Sequence, residues 1–171
     1  LVLFEEALAT NDGTNDRARL RLFTLQASAY AYLGDSAAAL EILNEALTLS
    51  EQVNDELRRL QLLNRIAMTN HSNGNVAESL EGFKSLLNEL TGVNDDPSLL
   101  SQVLYNYASV LLANGDLDQA ERLGMRSLSL RKGIGNSIQT AEAHSLVSRV
   151  HWRKGNARSA LDAANEAIEM I

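Results

Sequence analysis

Apolar residues recur at helical spacing along most of the chain. Leu100, Val103, Leu104, Tyr107, Ala108, Leu111 and Leu112 form one stripe, and Val76, Leu80, Phe83, Leu86, Leu87 and Leu90 form another. Steps of three and four residues gather side chains on one face of an α-helix. The stripes are broken at regular places by a glycine followed at once by Asp or Asn: Gly34-Asp35, Gly74-Asn75, Gly115-Asp116 and Gly155-Asn156. Glycine ends a helix at little cost because it takes the left-handed conformation. The Asp or Asn then starts the next helix by accepting its free backbone N–H groups. Asn75 with Glu78, and Asp116 with Gln119, add the reciprocal residue of a capping box. A helix stop followed directly by a helix start is a helical hairpin. The pattern predicts helices over 1–9, 16–33, 36–52, 55–73, 76–91, 98–114, 117–132, 137–154 and 157–171.

The four glycines are 40, 41 and 40 residues apart. Seven residues before each stand Ala27, Ala67, Ala108 and Ser148, and five after each stand Ala39, Ser79, Ala120 and Ala160. Small side chains at both places let two helices cross closely. Hairpins repeated at one period stack into a solenoid. The set Ala27, Gly34, Ala39, Leu43 and Ala46, and its counterpart Ser148, Gly155, Ala160, Ala164 and Ala167, resembles the tetratricopeptide repeat. The usual period of that family is about 34 residues. The longer one here resembles the variant of kinesin light chains and of many bacterial regulators. The family's early Trp and closing Pro are missing. HEAT-type arrays, whose periods overlap, are the alternative. The resemblance implies an all-α fold: a right-handed α-solenoid, or superhelix, of antiparallel helical hairpins. We expect one array over residues 1–171: 1–9 as the end of a preceding repeat, then 14–53, 54–94, 95–135 and 136–171. Phe4 and Ala7 repeat the spacing of Leu43 and Ala46, and Ile171 falls inside a second helix, so the chain reads as a fragment or as one whose ends a partner covers.

Composition narrows the function classes. The 171 residues include one Pro, and 5% are aromatic, so Leu and Ala must build the core. The lack of Cys excludes disulfides and thiolate chemistry. With no basic-then-apolar leader and no membrane-spanning run, the expected location is cytoplasmic, with no membrane partner. A net charge of −7 argues against nucleic acid as a partner. Charge is uneven: residues 1–56 hold ten acids and three Arg, and residues 122–158 hold eight Arg or Lys and one acid, Glu142. Solvated helix faces that drift in composition account for this as well as a partner does.

Catalytic and metal chemistry find little support. His144 and His151 are seven residues apart and His71 is distant, which does not suit a helical zinc pair. Gly133-Ile134-Gly135 follows a helix and lacks a phosphate-loop ending, so it reads as the loop between the third and fourth hairpins. Asn70-His71-Ser72 matches a glycosylation sequon inside a predicted helix and is set aside. Asp55-Glu56 and Asp95-Asp96 suit helix N-termini. We expect no enzyme activity, no cofactor and no metal.

In the resembled family the first helix of each hairpin lines the inner face and contacts ligands. The inward positions lie thirteen, ten, six, three and two residues before each glycine. They give Arg21, Thr24, Ser28, Ala31 and Tyr32 in the first hairpin, Gln61, Asn64, Met68, His71 and Ser72 in the second, and Gln102, Tyr105, Ser109, Leu112 and Ala113 in the third. The fourth gives Glu142, Ser145, Arg149, Trp152 and Arg153, while Arg65 and Asn106 flank the surface. The amides can hold an extended peptide backbone, although a solvent-facing groove is polar in any case. Arg149, Trp152 and Arg153 set an aromatic between two guanidiniums, a combination enriched at interface hot spots. Packing of Trp152 against a further repeat is the rival account. A chaperone-type carboxylate clamp would need Lys and Asn where Thr24 and Ser28, or Asn64 and Met68, stand. The expected function is a protein-interaction scaffold binding a peptide or helical segment, acidic near Arg149 and Arg153. A peptide- or ligand-sensing module of a larger bacterial signalling or transcription protein is the alternative. Exposed repeat ends would also allow stacking into a homodimer.

Overall fold

A computed structural model of the chain describes residues 16–93 and 96–170, with the side chains of 91–93 left aside. Among the described residues every regular element is an α-helix: α1 (Asp16–Tyr32), α2 (Ser36–Gln52), α3 (Glu56–Ser72), α4 (Val76–Val93), α5 (Pro97–Asn114), α6 (Leu117–Ile134), α7 (Ser137–Arg153) and α8 (Ala157–Glu169). The helix expected over 1–9 lies outside the described residues.

The turns carry the expected chemistry. Gly34, Gly74, Gly115 and Gly155 all have φ between 80° and 89°, the left-handed region. Asp35 accepts from the Ala38 N–H at 3.0 Å and Asp116 from the Gln119 N–H at 3.2 Å. Two caps depart from expectation. The Asn75 side chain donates to Asn70 Oδ1 at 3.2 Å, and Asn156 makes no side-chain cap bond. Both still contribute their carbonyls, to Ser79 and Ala160.

The same device recurs between hairpins, at half the period read from the glycines. Asn54 has φ 53° and Asp55 caps α3 through the Arg58 N–H at 3.1 Å. Gly135 has φ 81° and Asn136 caps α7 through the Gln139 N–H at 3.0 Å. Asn tolerates the left-handed region better than other side-chain-bearing residues, which is why it can stand in for Gly.

Gly133-Ile134-Gly135 is therefore not the loop expected. α6 continues through Gly133 to Ile134, and Gly135 alone is left-handed. The Gly135 N–H returns to the Arg131 and Lys132 carbonyls, so the helix closes two residues later than the first glycine suggests. The two glycines then predict opposite responses to one substitution. A Cβ at Gly133 meets nothing within 4 Å. Gly133→Ala should raise stability by about 0.5–1 kcal/mol, the helix preference of Ala over Gly. Gly135→Ala should lower it by about 1–2 kcal/mol, the cost of a Cβ in left-handed backbone. Chemical denaturation of the two variants checks this, and equal signs would sink the helical assignment of Gly133.

Contacts divide the chain into two units, Leu1–Gly82 and Phe83–Ile171. In the first, Leu20, Phe23 and Ala27 of α1 meet Leu43, Ala46 and Leu49 of α2 and Leu62 of α3. α4 approaches α3 closely where a Cβ on Gly82 would stand 3.5 Å from that of Ala67. In the second unit, Phe83 stacks on Tyr107 with centroids 5.4 Å apart. Leu128 of α6 packs with Ala143 and Val147 of α7. Close crossings here use hydroxyls as well as methyls. Ser127 Oγ of α6 donates to the Ser101 carbonyl of α5 at 2.7 Å, and Ser148 Oγ of α7 donates to the Ala160 carbonyl of α8 at 2.7 Å. Gly124 lets Val147 come within 3.6 Å of where its Cβ would be.

Candidate functional site

In the first unit the expected inward residues lie on α1, from Arg21 to Tyr32, and on α3, from Gln61 to Ser72. Gln61 and Met68 are half-buried. Asn64 differs from the expectation of a groove-facing side chain: it is buried, at 3% exposed. Arg65 is exposed but tied to α1, donating to Ser28 Oγ, which in turn donates to the Thr24 carbonyl at 2.8 Å. Burial, helped by the nearby Arg58 charge, lowers the Arg65 pKa, and it stays a cation at neutral pH.

In the second unit the expected residues gather around two cavities that reach α5, and Arg149 and Trp152 also border a third, of about 320 Å³, with Ala160 and Leu161 of α8. Arg149, Trp152 and Arg153 of α7 face Ser109, Leu112 and Ala113 of α5 across a cavity of about 340 Å³. They are the positions six, three and two residues before Gly115 and Gly155. α5 and α7 bring them together because each set occupies one helical stripe. Trp152 is 70% exposed, far above the usual for an indole. Neither Arg149 nor Arg153 has a carboxylate partner among the described residues. A neighbouring cation is engaged: Lys154 Nζ donates to Asp118 Oδ1 and Glu121 Oε2, each at 2.6 Å. That clasp raises the Lys154 pKa and lowers that of Asp118, the hydrogen bonds being the main cause in both. His151 Nδ1 lies 3.4 Å from Glu121 Oε1.

The second cavity, about 330 Å³, is lined by Tyr105 of α5, by Ile138, Ala141, Glu142 and Ser145 of α7, and by Ala167 and Ile168 of α8. Beside it Arg131 is 3% exposed, an unusual place for a guanidinium. Its charge is answered three ways. The guanidinium carbon lies 4.3 Å from the Tyr105 ring centroid, and Nη1 donates to the Gln139 carbonyl at 2.6 Å and to Glu142 Oε2 at 3.3 Å. Burial lowers the Arg131 pKa, and Glu142 and Tyr105 oppose the shift. Gln102 is exposed on α5 and Asn106 half-buried. Sequence reading missed Arg131, Ile138 and Ile168. Arg131 sat in a basic run that read as a solvated face, and nothing local distinguishes a buried Arg.

The histidines stand apart from both cavities. His144 is buried, its pKa lowered first by burial and then by Lys132, with Glu166 opposing at 4.0 Å. Among the described residues no three His, Asp or Glu side chains converge on one point. No helix among them is long and apolar enough to cross a membrane.

Comparison with known proteins places these features in a context. Two tetratricopeptide repeat family models match, one over residues 99–171 and one over 20–53. No curated protein matches the sequence. Among solved structures, BtubC (BKLC) from P. vanneervenii superposes with a TM-score of 0.82 at 16% identity, over 99% of this chain and 70% of its own. PlcR of Bacillus thuringiensis, in complex with the peptide PapR7 and DNA, gives 0.85 at 17% identity, over 98% of this chain and 60% of PlcR. NprR in complex with its cognate peptide NprX gives 0.79 at 23% identity, over 98% of this chain and 48% of NprR. Identities this low speak to the fold, and that fold is the all-helical, tetratricopeptide-like solenoid class expected from the repeat.

Proposed function

The chain belongs to the tetratricopeptide repeat family, and on that premise we propose that it is an interaction module that holds a peptide or helical segment of another protein. The observation that carries the reading is the cavity between α5 and α7, with an exposed indole between two unpaired guanidiniums. Arg and Trp dominate interface energies because each combines a large apolar surface with a directed polar group. An acidic segment meets both demands: its carboxylate takes bidentate hydrogen bonds from Arg149 or Arg153, and its apolar part covers Trp152 and Leu112. The chemistry is binding, not catalysis. The groups around the cavity are guanidinium, indole, hydroxyl and alkyl, and none of the three histidines lines it.

A display selection tests this. Random peptides passed over the immobilised chain should enrich sequences carrying Asp or Glu beside a large apolar residue, and Trp152→Ala should fail to retain them. No enrichment over a blank surface, or equal retention by the Trp152→Ala protein, would overturn the reading.

A second reading is a peptide-sensing module of a larger regulator. Its support is the likeness to PlcR and NprR, each solved with a peptide and each longer than this chain. In that case a peptide from the same selection should change the output of a domain joined to the chain. A joined domain indifferent to bound peptide would remove this reading and leave the first.

A further inference from the structure

Two of the cavities of the second unit, those at Trp152 and at Ile138, lie on one track. Ile138, Glu142, Ser145, Arg149 and Trp152 follow one another at steps of three and four along α7, so they share one face of the helix. Tyr105, Ser109 and Leu112 do the same along α5, and Tyr105 borders one cavity while Ser109 and Leu112 border the other. The track has a large exposed apolar side chain at each end, Ile138 at 69% exposed and Trp152 at 70%. Between them stands Ser145, exposed and without a hydrogen-bond partner among the described residues.

The two ends differ in charge. At the Trp152 end Arg149 and Arg153 are unpaired. At the Ile138 end Arg131 is buried and paired with Glu142, whose own side chain is 52% exposed. That end welcomes an uncharged apolar group, and Glu142 repels an acid placed there. The centres of the two cavities are about ten residues apart along α7, roughly 15 Å at 1.5 Å per residue.

Resting on the binding reading above, we propose that this unit reads an extended peptide through two apolar anchors four residues apart, with a carboxylate next to one of them only. The carboxylate-flanked anchor enters the cavity at Trp152, and the uncharged anchor enters the cavity at Ile138. Spacing follows from geometry: an extended chain advances about 3.3 Å per residue, and side chains pointing to the same side are an even number of residues apart. Four residues span about 13 Å, the even number nearest the separation. Extended form follows from Ser145, whose free hydroxyl suits an open backbone group, whereas a helical guest keeps its backbone groups to itself.

The test uses fluorescein-labelled synthetic peptides with two Leu separated by one to nine Gly or Ser residues and Asp beside one Leu, in both chain orders. Fluorescence anisotropy measures their affinity for the chain. Binding should peak at three intervening residues, about tenfold over a peptide with the uncharged Leu replaced by Ser. Ile138→Ser, which alters an exposed side chain, should remove that tenfold gain and leave the single-anchor peptide unchanged. Tight binding that ignores spacing, or that ignores Ile138→Ser, overturns the two-anchor inference while the Trp152 reading stands. In a parallel series with Ala and Lys spacers, a maximum at ten intervening residues, where two side chains share a helix face about 16 Å apart, overturns the extended form in favour of a helix. Failure of every peptide in the series overturns the inference if the display selection yields binders of another kind. Failure of both experiments brings down the binding reading itself.

Discussion

Phe83→Ala is expected to lower stability by about 3–5 kcal/mol, the range for truncating a fully buried aromatic. Phe83 is 0% exposed and its ring lies nearly parallel to that of Tyr107, at 13°. Truncation removes the apolar transfer energy of the ring, the stacking contact, and the neighbours' dispersion contacts across the void. Tyr107, itself 7% exposed, is left facing an empty space too apolar to hold water well. Phe83→Leu keeps most of the volume and should cost about 1–1.5 kcal/mol. Urea titration followed by far-ultraviolet circular dichroism measures both. The loss should be read most strongly in hydrogen exchange of α5, because solenoid stability is carried by nearest-neighbour contacts. A cost below about 1 kcal/mol for Phe83→Ala would mean that the site collapses to fill the space.

Charge reversal at Arg149 and Arg153 together should weaken an acidic peptide about a hundredfold or more. Each wild-type guanidinium contributes a charge-assisted hydrogen bond, worth about 1.5–3 kcal/mol. Reversal replaces each with repulsion in a partly desolvated cavity. The fold should survive, since both side chains are exposed and unpaired among the described residues. Arg153→Glu alone carries a structural cost, about 0.3–1 kcal/mol, because Arg153 lies in the last turn of α7, where a cation suits the helix dipole. Arg153→Gln separates the two effects. Wild-type affinity should also fall with added salt and that of the double variant should not. Isothermal titration at two ionic strengths checks this. Retained affinity in a variant with unchanged circular dichroism would move the binding site elsewhere.

What could be read from the chain alone was decided within a few residues. Helix α2 begins at Ser36 and ends at Gln52 as expected, because Gly34 and Asp35 stop one helix and cap the next with their own atoms. Ala27, Ala67 and Ala108 are buried as expected, because a small side chain announces a close crossing wherever it recurs in register. The Arg149–Trp152–Arg153 cluster was also legible, since residues one turn apart share a face in any helix.

Tertiary structure decided the rest, because it depends on which stripe of one helix meets which stripe of another. Asn64 and Ser145 both lie ten residues before their glycine, yet Asn64 is 3% exposed and Ser145 is open. Arg131 stood in a run of basic residues and turned out to be buried against Tyr105, 26 positions away. Lys154 was removed from the free cations by Asp118 and Glu121, more than 30 positions back. Local backbone chemistry sets where a helix stops and starts. Burial and charge pairing are properties of neighbours brought from afar, and only the packed fold chooses them.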